Sequence, residues 1–114
     1  MTEMKSKGIV SIVYPTKDIA KATFTKFLGV QPHVDSPYYV GFKVGAQEIG
    51  LDPNGHEEGA RAYYDVPDIK HALQLLVEAG AQILQDVKDV GGGASIASVR
   101  DTDGNLIGLM QQSP

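Results

Sequence analysis

Asp101-Thr102-Asp103-Gly104-Asn105-Leu106-Ile107-Gly108-Leu109 is the stretch on which the reading of the whole chain turns. Its Asp-Gly-Asn core is turn chemistry, because these residues accept unusual backbone angles and cap their own main chain. The apolar run behind it, Asn105 to Gln111, reads as a strand. Part of this pattern occurs earlier, as Ile49-Gly50-Leu51. A second echo has the same order along the chain. Asp18-Ile19-Ala20-Lys21-Ala22 recurs 50 residues later as Asp68-Ile69-Lys70-His71-Ala72. Each copy follows a β-type run ending near a proline, Pro15 or Pro67. Each opens an apolar-periodic segment that stops at a glycine, Gly29 or Gly80. Two ordered echoes point to two modules, about 8–53 and 60–112, within one domain spanning 1–114.

The elements follow from the same signals. Gly8 to Tyr14, rich in Val and Ile, is expected to be a strand. Thr16 or Asp18 caps a helix running to Leu28, with Ile19, Ala22, Phe24, Phe27 and Leu28 forming its apolar side. Strands are expected near Gln31–Asp35, Tyr38–Val44 and Gln47–Asp52, with Gly45-Ala46 as a tight hairpin turn. The second module repeats the plan. Arg61–Val66 is a strand and Asp68–Ala79 a helix, with strands near Ala81–Val87, Ser95–Arg100 and Asn105–Gln111. Each module reads β-α-β-β-β, an α+β architecture. A helix and a sheet bury one face of each other, which leaves the other sheet face uncommitted.

Composition narrows the function. The 114 residues are 42% hydrophobic and 21% charged, with a net charge of −4. That is the make-up of a globular protein with a true core. With only two arginines, the chain lacks the clustered cations that nucleic-acid phosphates require. It contains no cysteine, which removes disulfides, thiolate metal sites and a Cys nucleophile. No apolar run approaches a membrane span, and the start lacks the apolar stretch of a signal peptide. The expected location is the cytoplasm, with no membrane and no nucleic-acid partner.

The paired modules, the Asp-Ile-x-x-Ala helix starts and above all the Asp101–Leu109 segment resemble the vicinal oxygen chelate superfamily. That group includes glyoxalase I, bleomycin-resistance proteins, extradiol dioxygenases and some epimerases. The resemblance implies a curved mixed sheet around a cleft, helices on its convex face, and a homodimer. Enzymes of the group usually hold one divalent metal through four side chains, one from the first and one from the last strand of each module. In the glyoxalase-like pattern the first-strand ligand precedes the helix-opening aspartate by seven residues. Here that gives Ser11 and Arg61. The last-strand ligand is the middle residue of the closing Ile-x-Leu, here Gly50 and Gly108.

None of these four suits a metal. Glycine has no donor, arginine is a cation without an acceptor, and serine is a poor ligand. Asp52 and Glu48 lie near Gly50, and no histidine is evident beside them. His33, His56 and His71 show no ligand spacing. His33 is expected where a strand begins, His71 on the surface of the second helix, and His56 in the loop 52–59. No cofactor and no metal are therefore expected.

Strand alternation gives the residues facing the cleft. Ile9, Ser11 and Val13 point in, as do Arg61, Tyr63 and Asp65, and Leu106, Gly108 and Met110. Across the Gly45-Ala46 turn, Lys43 opposes Glu48, Gly41 opposes Gly50, and Tyr39 opposes Asp52. The glycines at 41, 50 and 108 are expected to widen the cavity. Arg61 either pairs with Asp52 or Glu48 or offers a fork to a ligand carboxylate or phosphate. Tyr39 and Tyr63 either pack or stack on a planar group. Gly91-Gly92-Gly93 lacks the spacing of a phosphate loop and is expected to be a flexible connection. Ser95 and Ser98 lack a Ser-His-Asp setting.

Three functions compete. The first is a metal-independent protein that binds a small anionic or aromatic molecule through Arg61, Tyr63, Asp52, Tyr39, Ser11 and His56. The second is a metal-dependent lyase or dioxygenase of glyoxalase type with displaced ligands. The third is a metal-free enzyme using Asp52, Tyr63 or His56 as acid or base, so the sequence leaves catalysis open.

Overall fold

The computed structural model describes residues 4–16, 21–53 and 59–112. The elements run β1 (Gly8–Pro15), α1 (Lys21–Leu28), β2 (Val34–Asp35), β3 (Val40–Val44) and β4 (Gln47–Asp52). They continue with β5 (Arg61–Asp65), α2 (Ile69–Glu78), β6 (Gln82–Gly91), β7 (Ala94–Arg100) and β8 (Leu106–Gln111). This is β-α-β-β-β twice, an α+β fold with mixed strand pairing. Packing divides the chain into two units, Val10–Arg61 and a second made of Ala62 onward with the residues up to Ile9. Among the described residues no helix is long and apolar enough to cross a membrane.

In the first unit the strands lie in the order β2-β3-β4-β1. β1 runs parallel to β4, while β3 is antiparallel to both β2 and β4. The β3–β4 register pairs Val44 with Gln47, so Gly45-Ala46 forms a two-residue turn, and Gly45 takes φ +61°. Such a turn needs positive φ at its first position, which glycine supplies without steric cost. Val40, Phe42 and Leu51 form the buried core, with Phe24, Leu28, Val30 and Ile49 packed against it. Tyr14 joins this side through its ring contact with Phe24 at 5.4 Å. Burying side chains of this size stabilises by about 1.5–3 kcal/mol each.

The apolar side of α1 is narrower than its sequence suggests. Phe24 and Leu28, four residues apart, reach the core, whereas Phe27 is 78% exposed. Phe27 is a quarter-turn from Leu28, so its ring meets only the edge of Phe24, at 6.4 Å and 82°. The expected cap at Asp18, with Ile19 and Ala20, lies outside the described residues. Gly29 ends the helix as expected, at φ +74°.

The second unit has the same plan, β5-β8-β7-β6, with β5 parallel to β8. Both ends of α2 are set by local chemistry. Asp68 is the N-cap and accepts from the His71 amide at 3.2 Å. The Gln111 side chain accepts from the Ile69 amide at 2.8 Å. At the other end Gly80 adopts φ +103°. Its amide reaches the Val77 carbonyl (2.9 Å), and the Ala81 amide reaches that of Leu76 (3.0 Å). These paired bonds satisfy carbonyls the helix leaves open, and they need a left-handed residue at position 80. Val66, Ile69, Ala72, Leu73, Ala97, Val99 and Leu109 make the core.

Three strand expectations are corrected. The strand expected over Gln31–Asp35 is only Val34–Asp35. β6 runs on to Gly91, well past Val87. The Gly91–Gly93 run is then not a loose connection. Gly91 pairs with Ala94, so Gly92-Gly93 is a two-residue hairpin turn, with φ +62° and +81°. Two successive positive φ values are what such a turn requires and what side chains resist.

Candidate functional site

In the first unit the face away from α1 carries the polar residues. Ile12 and Tyr14 pair with Ile49 and Leu51, and these four share the helix side. The alternating residues Ser11, Val13 and Pro15, paired with Glu48, Gly50 and Asp52, take the other face. Lys43 and Gly41 join it opposite Glu48 and Gly50, as expected. Ser11 is buried and Asp52 half-buried.

Tyr39 is placed on this face by a turn. The Ser36 amide reaches the Tyr39 carbonyl at 3.1 Å, and the Ser36 hydroxyl accepts from the amides of Tyr38 and Tyr39. The intervening Pro37 suits such a turn, because its ring presets φ. Tyr39 lies one residue before β3, beyond the last pair of the ladder, Val40–Leu51. Its ring lies across the two glycines. A β-carbon built on Gly50 would stand 2.5 Å from the phenol oxygen, and one on Gly41 would stand 2.8 Å from Cε2.

The phenol donates to Glu48 Oε2 at 2.5 Å. The other oxygen of Glu48 is 2.8 Å from His33 Nε2. His33 lies just before β2, and its amide donates to the Gly41 carbonyl at 2.9 Å. Tyr39, Glu48 and His33 therefore form one hydrogen-bonded set. Sequence reading placed Glu48 near Gly50 but missed the histidine, because His33 precedes its strand and alternation does not locate it. Glu48 pairs with His33 and not with Arg61, for which it was one of two candidate carboxylates.

In the second unit Tyr63 and Gly108 are partners across β5 and β8. Tyr63 is 7% exposed. A β-carbon on Gly108 would stand 2.5 Å from its Cδ1 and 2.7 Å from its Cγ. Gly41, Gly50 and Gly108 were expected to leave the sheet face roomier. Each instead lets a tyrosine ring lie flat where a side chain would stand. Arg61 opens β5, and its Nε is shielded from solvent with no hydrogen-bond partner among the described residues. His71 is half-buried on α2, and His56 lies outside the described residues.

The four positions at which related enzymes hold a metal do not fit one. Gly50 and Gly108 lack donors, and the space a longer side chain would need is filled by Tyr39 and Tyr63. Arg61 brings a positive charge, and Ser11 alone cannot hold a hard ion.

Comparison with known proteins places the fold. The family model of the glyoxalase/bleomycin resistance protein/dioxygenase superfamily matches residues 8–109. No curated protein matches the sequence. Among solved structures, a Mn(II)-bound glyoxalase from Novosphingobium aromaticivorans is 19% identical with a TM-score of 0.74. That similarity covers 96% of this chain and 40% of the other. Methylmalonyl-CoA epimerase from Mycobacterium tuberculosis is 16% identical, TM-score 0.70, covering 100% of this chain and 93% of that one. A superfamily member from Vibrio splendidus 12B01 is 20% identical, TM-score 0.68, covering 96% and 98%. With two β-α-β-β-β repeats and a family match over nearly its whole length, the chain belongs to the glyoxalase/bleomycin resistance protein/dioxygenase superfamily.

Proposed function

We propose that the protein binds a small anionic or aromatic molecule without a metal at positions 11, 50, 61 and 108. The observation that carries this reading is the seating of Tyr39 on Gly50 and of Tyr63 on Gly108. Aromatic rings at these places offer flat surface for a planar ligand and deny a metal its ligands. On the first unit's helix-free face, Ser11, Tyr39 and Asp52 supply hydroxyl, phenol and carboxylate groups. The shielded Nε of Arg61 supports a role for its guanidinium as a fork for a carboxylate or phosphate. His56, outside the described residues, is a further candidate contact.

A thermal-shift screen with small carboxylic and phosphoric acids, before and after chelator treatment, tests the proposal. Saturable stabilisation that survives the chelator and is lost in Arg61→Ala is the expected result. Stabilisation that the chelator abolishes would favour a metal-dependent lyase or dioxygenase using other ligands, and would overturn the proposal.

A further inference from the structure

We infer that His33, Glu48 and Tyr39 form a binding site for a divalent first-row transition ion of the zinc or copper type. The inference goes beyond the ligand-binding reading and does not depend on it. An imidazole nitrogen, a carboxylate and a phenol oxygen are donors such ions accept. Among the described residues no three His, Cys, Asp or Glu side chains converge, and here the third donor is a phenol. The site differs from the four positions discussed above, since Glu48 lies two residues before Gly50.

Geometry supports it. Donors around a tetrahedral ion with bonds of about 2.1 Å stand about 3.4 Å apart. Here His33 Nε2 and Glu48 Oε1 are 2.8 Å apart, and Tyr39 Oη and Glu48 Oε2 are 2.5 Å apart. Outward shifts of these side-chain ends would admit one ion, held by both Glu48 oxygens, in place of the two shared protons. The side chains of His33 and Glu48 are 39% and 30% exposed, so both can shift and water can complete the coordination. No side chain intrudes from Gly41, where a β-carbon would stand 3.3 Å from both Glu48 Oε2 and His33 Nε2. The cation in register with Glu48, Lys43, is exposed and screened by water. A bound ion would clamp the segment before β2 onto β4.

The full chain, stripped with chelator, is titrated with Zn2+ by calorimetry and with Cu2+ by absorption and electron paramagnetic resonance. One equivalent should bind, with nitrogen hyperfine coupling from an imidazole. His33→Gln and the isosteric Glu48→Gln should each weaken binding at least about tenfold, since even losing an outer partner of a metal ligand costs that much. Tyr39→Phe should remove any phenolate charge-transfer band. His56→Gln and His71→Gln should leave the affinity unchanged. Absence of binding at micromolar metal, or equal affinity in wild type, His33→Gln and Glu48→Gln, would overturn the inference. Survival of acid binding after chelation bears only on the ligand-binding proposal, so the two fail separately.

Discussion

The phenol oxygen of Tyr39 lies 2.5 Å from where a β-carbon on Gly50 would stand, closer than real side chains tolerate. Glycine in a strand interior is normally a weakness, because it packs nothing and costs backbone entropy. At position 50 it is instead the condition for Tyr39 to reach Glu48. Gly50→Ala should therefore destabilise by about 1–3 kcal/mol, the usual cost of overpacking, although β-propensity alone predicts a gain. In a Tyr39→Ala background the same substitution should be neutral or stabilising. Urea denaturation of the four proteins in the cycle measures the coupling. An equal cost in both backgrounds would show that the ring is not what Gly50 accommodates.

Gly108→Ala should cost more than Gly50→Ala. At Gly50 the close atoms belong to the far end of the Tyr39 ring, which can swing on a half-buried side chain. At Gly108 they include Cγ of Tyr63, the root of a ring that is only 7% exposed. The root cannot move without the strand. Comparing the two urea midpoints at unchanged m-values checks the order.

How much of this was legible follows from which forces are local. The Asp68 cap, the Gly80 stop and the Gly45-Ala46 turn are written in residue type, because each depends on one residue's own donors or φ range. The β3–β4 register followed from that turn, since a two-residue loop fixes every pair behind it. Alternation then assigned faces correctly for Gly41, Gly50 and Glu48. It put Tyr39 on the right face without its bond to Glu48, and it did not reach His33; both lie outside the strands and are set by Ser36 and by the Gly41 carbonyl. It also assigns a face without giving a side chain's reach, so three glycines looked like open space where two tyrosine rings lie.

The turn that led the sequence reading should carry a pH signature. Asp101 accepts from the amides of Asp103 (2.9 Å) and Asn105 (2.8 Å), and from the Asn105 side chain (3.0 Å). These bonds favour the charged form, and the Asn105 side-chain bond leads in lowering its pKa below 3.8. A carboxylate with a depressed folded pKa contributes stability that is present above its unfolded value. That contribution is lost as pH falls through the folded value. Asp101→Ala should lower the melting temperature near neutral pH, and the gap to wild type should close under acid below 3.8. A gap that stays constant under acid would mean that the carboxylate's charge plays no part.

β6 ends the second unit's strand order, and its ten residues are nearly all exposed, Ile83, Leu84 and Val90 among them. A long edge with apolar side chains invites another strand to pair with it. Two devices oppose that here. The β6–β7 register shifts three times, and such irregularities twist an edge away from flat pairing. Aspartates also occupy main-chain donors along the strand. Asp86 accepts from the Val87 amide at 2.7 Å and Asp89 from the Gly91 amide at 2.8 Å. The Val87 amide falls in a register shift between Gln85 and Lys88, where two residues of β6 stand against one of β7. Replacing both aspartates by valine frees these donors, removes two charges and raises β-propensity at once. The double variant Asp86→Val/Asp89→Val should keep its far-ultraviolet spectrum. It should also associate with rising concentration, seen as larger species by light scattering. Asp103→Val, a charge loss away from the edge, should not do so. Identical scattering from the two variants would place the cause in net charge alone.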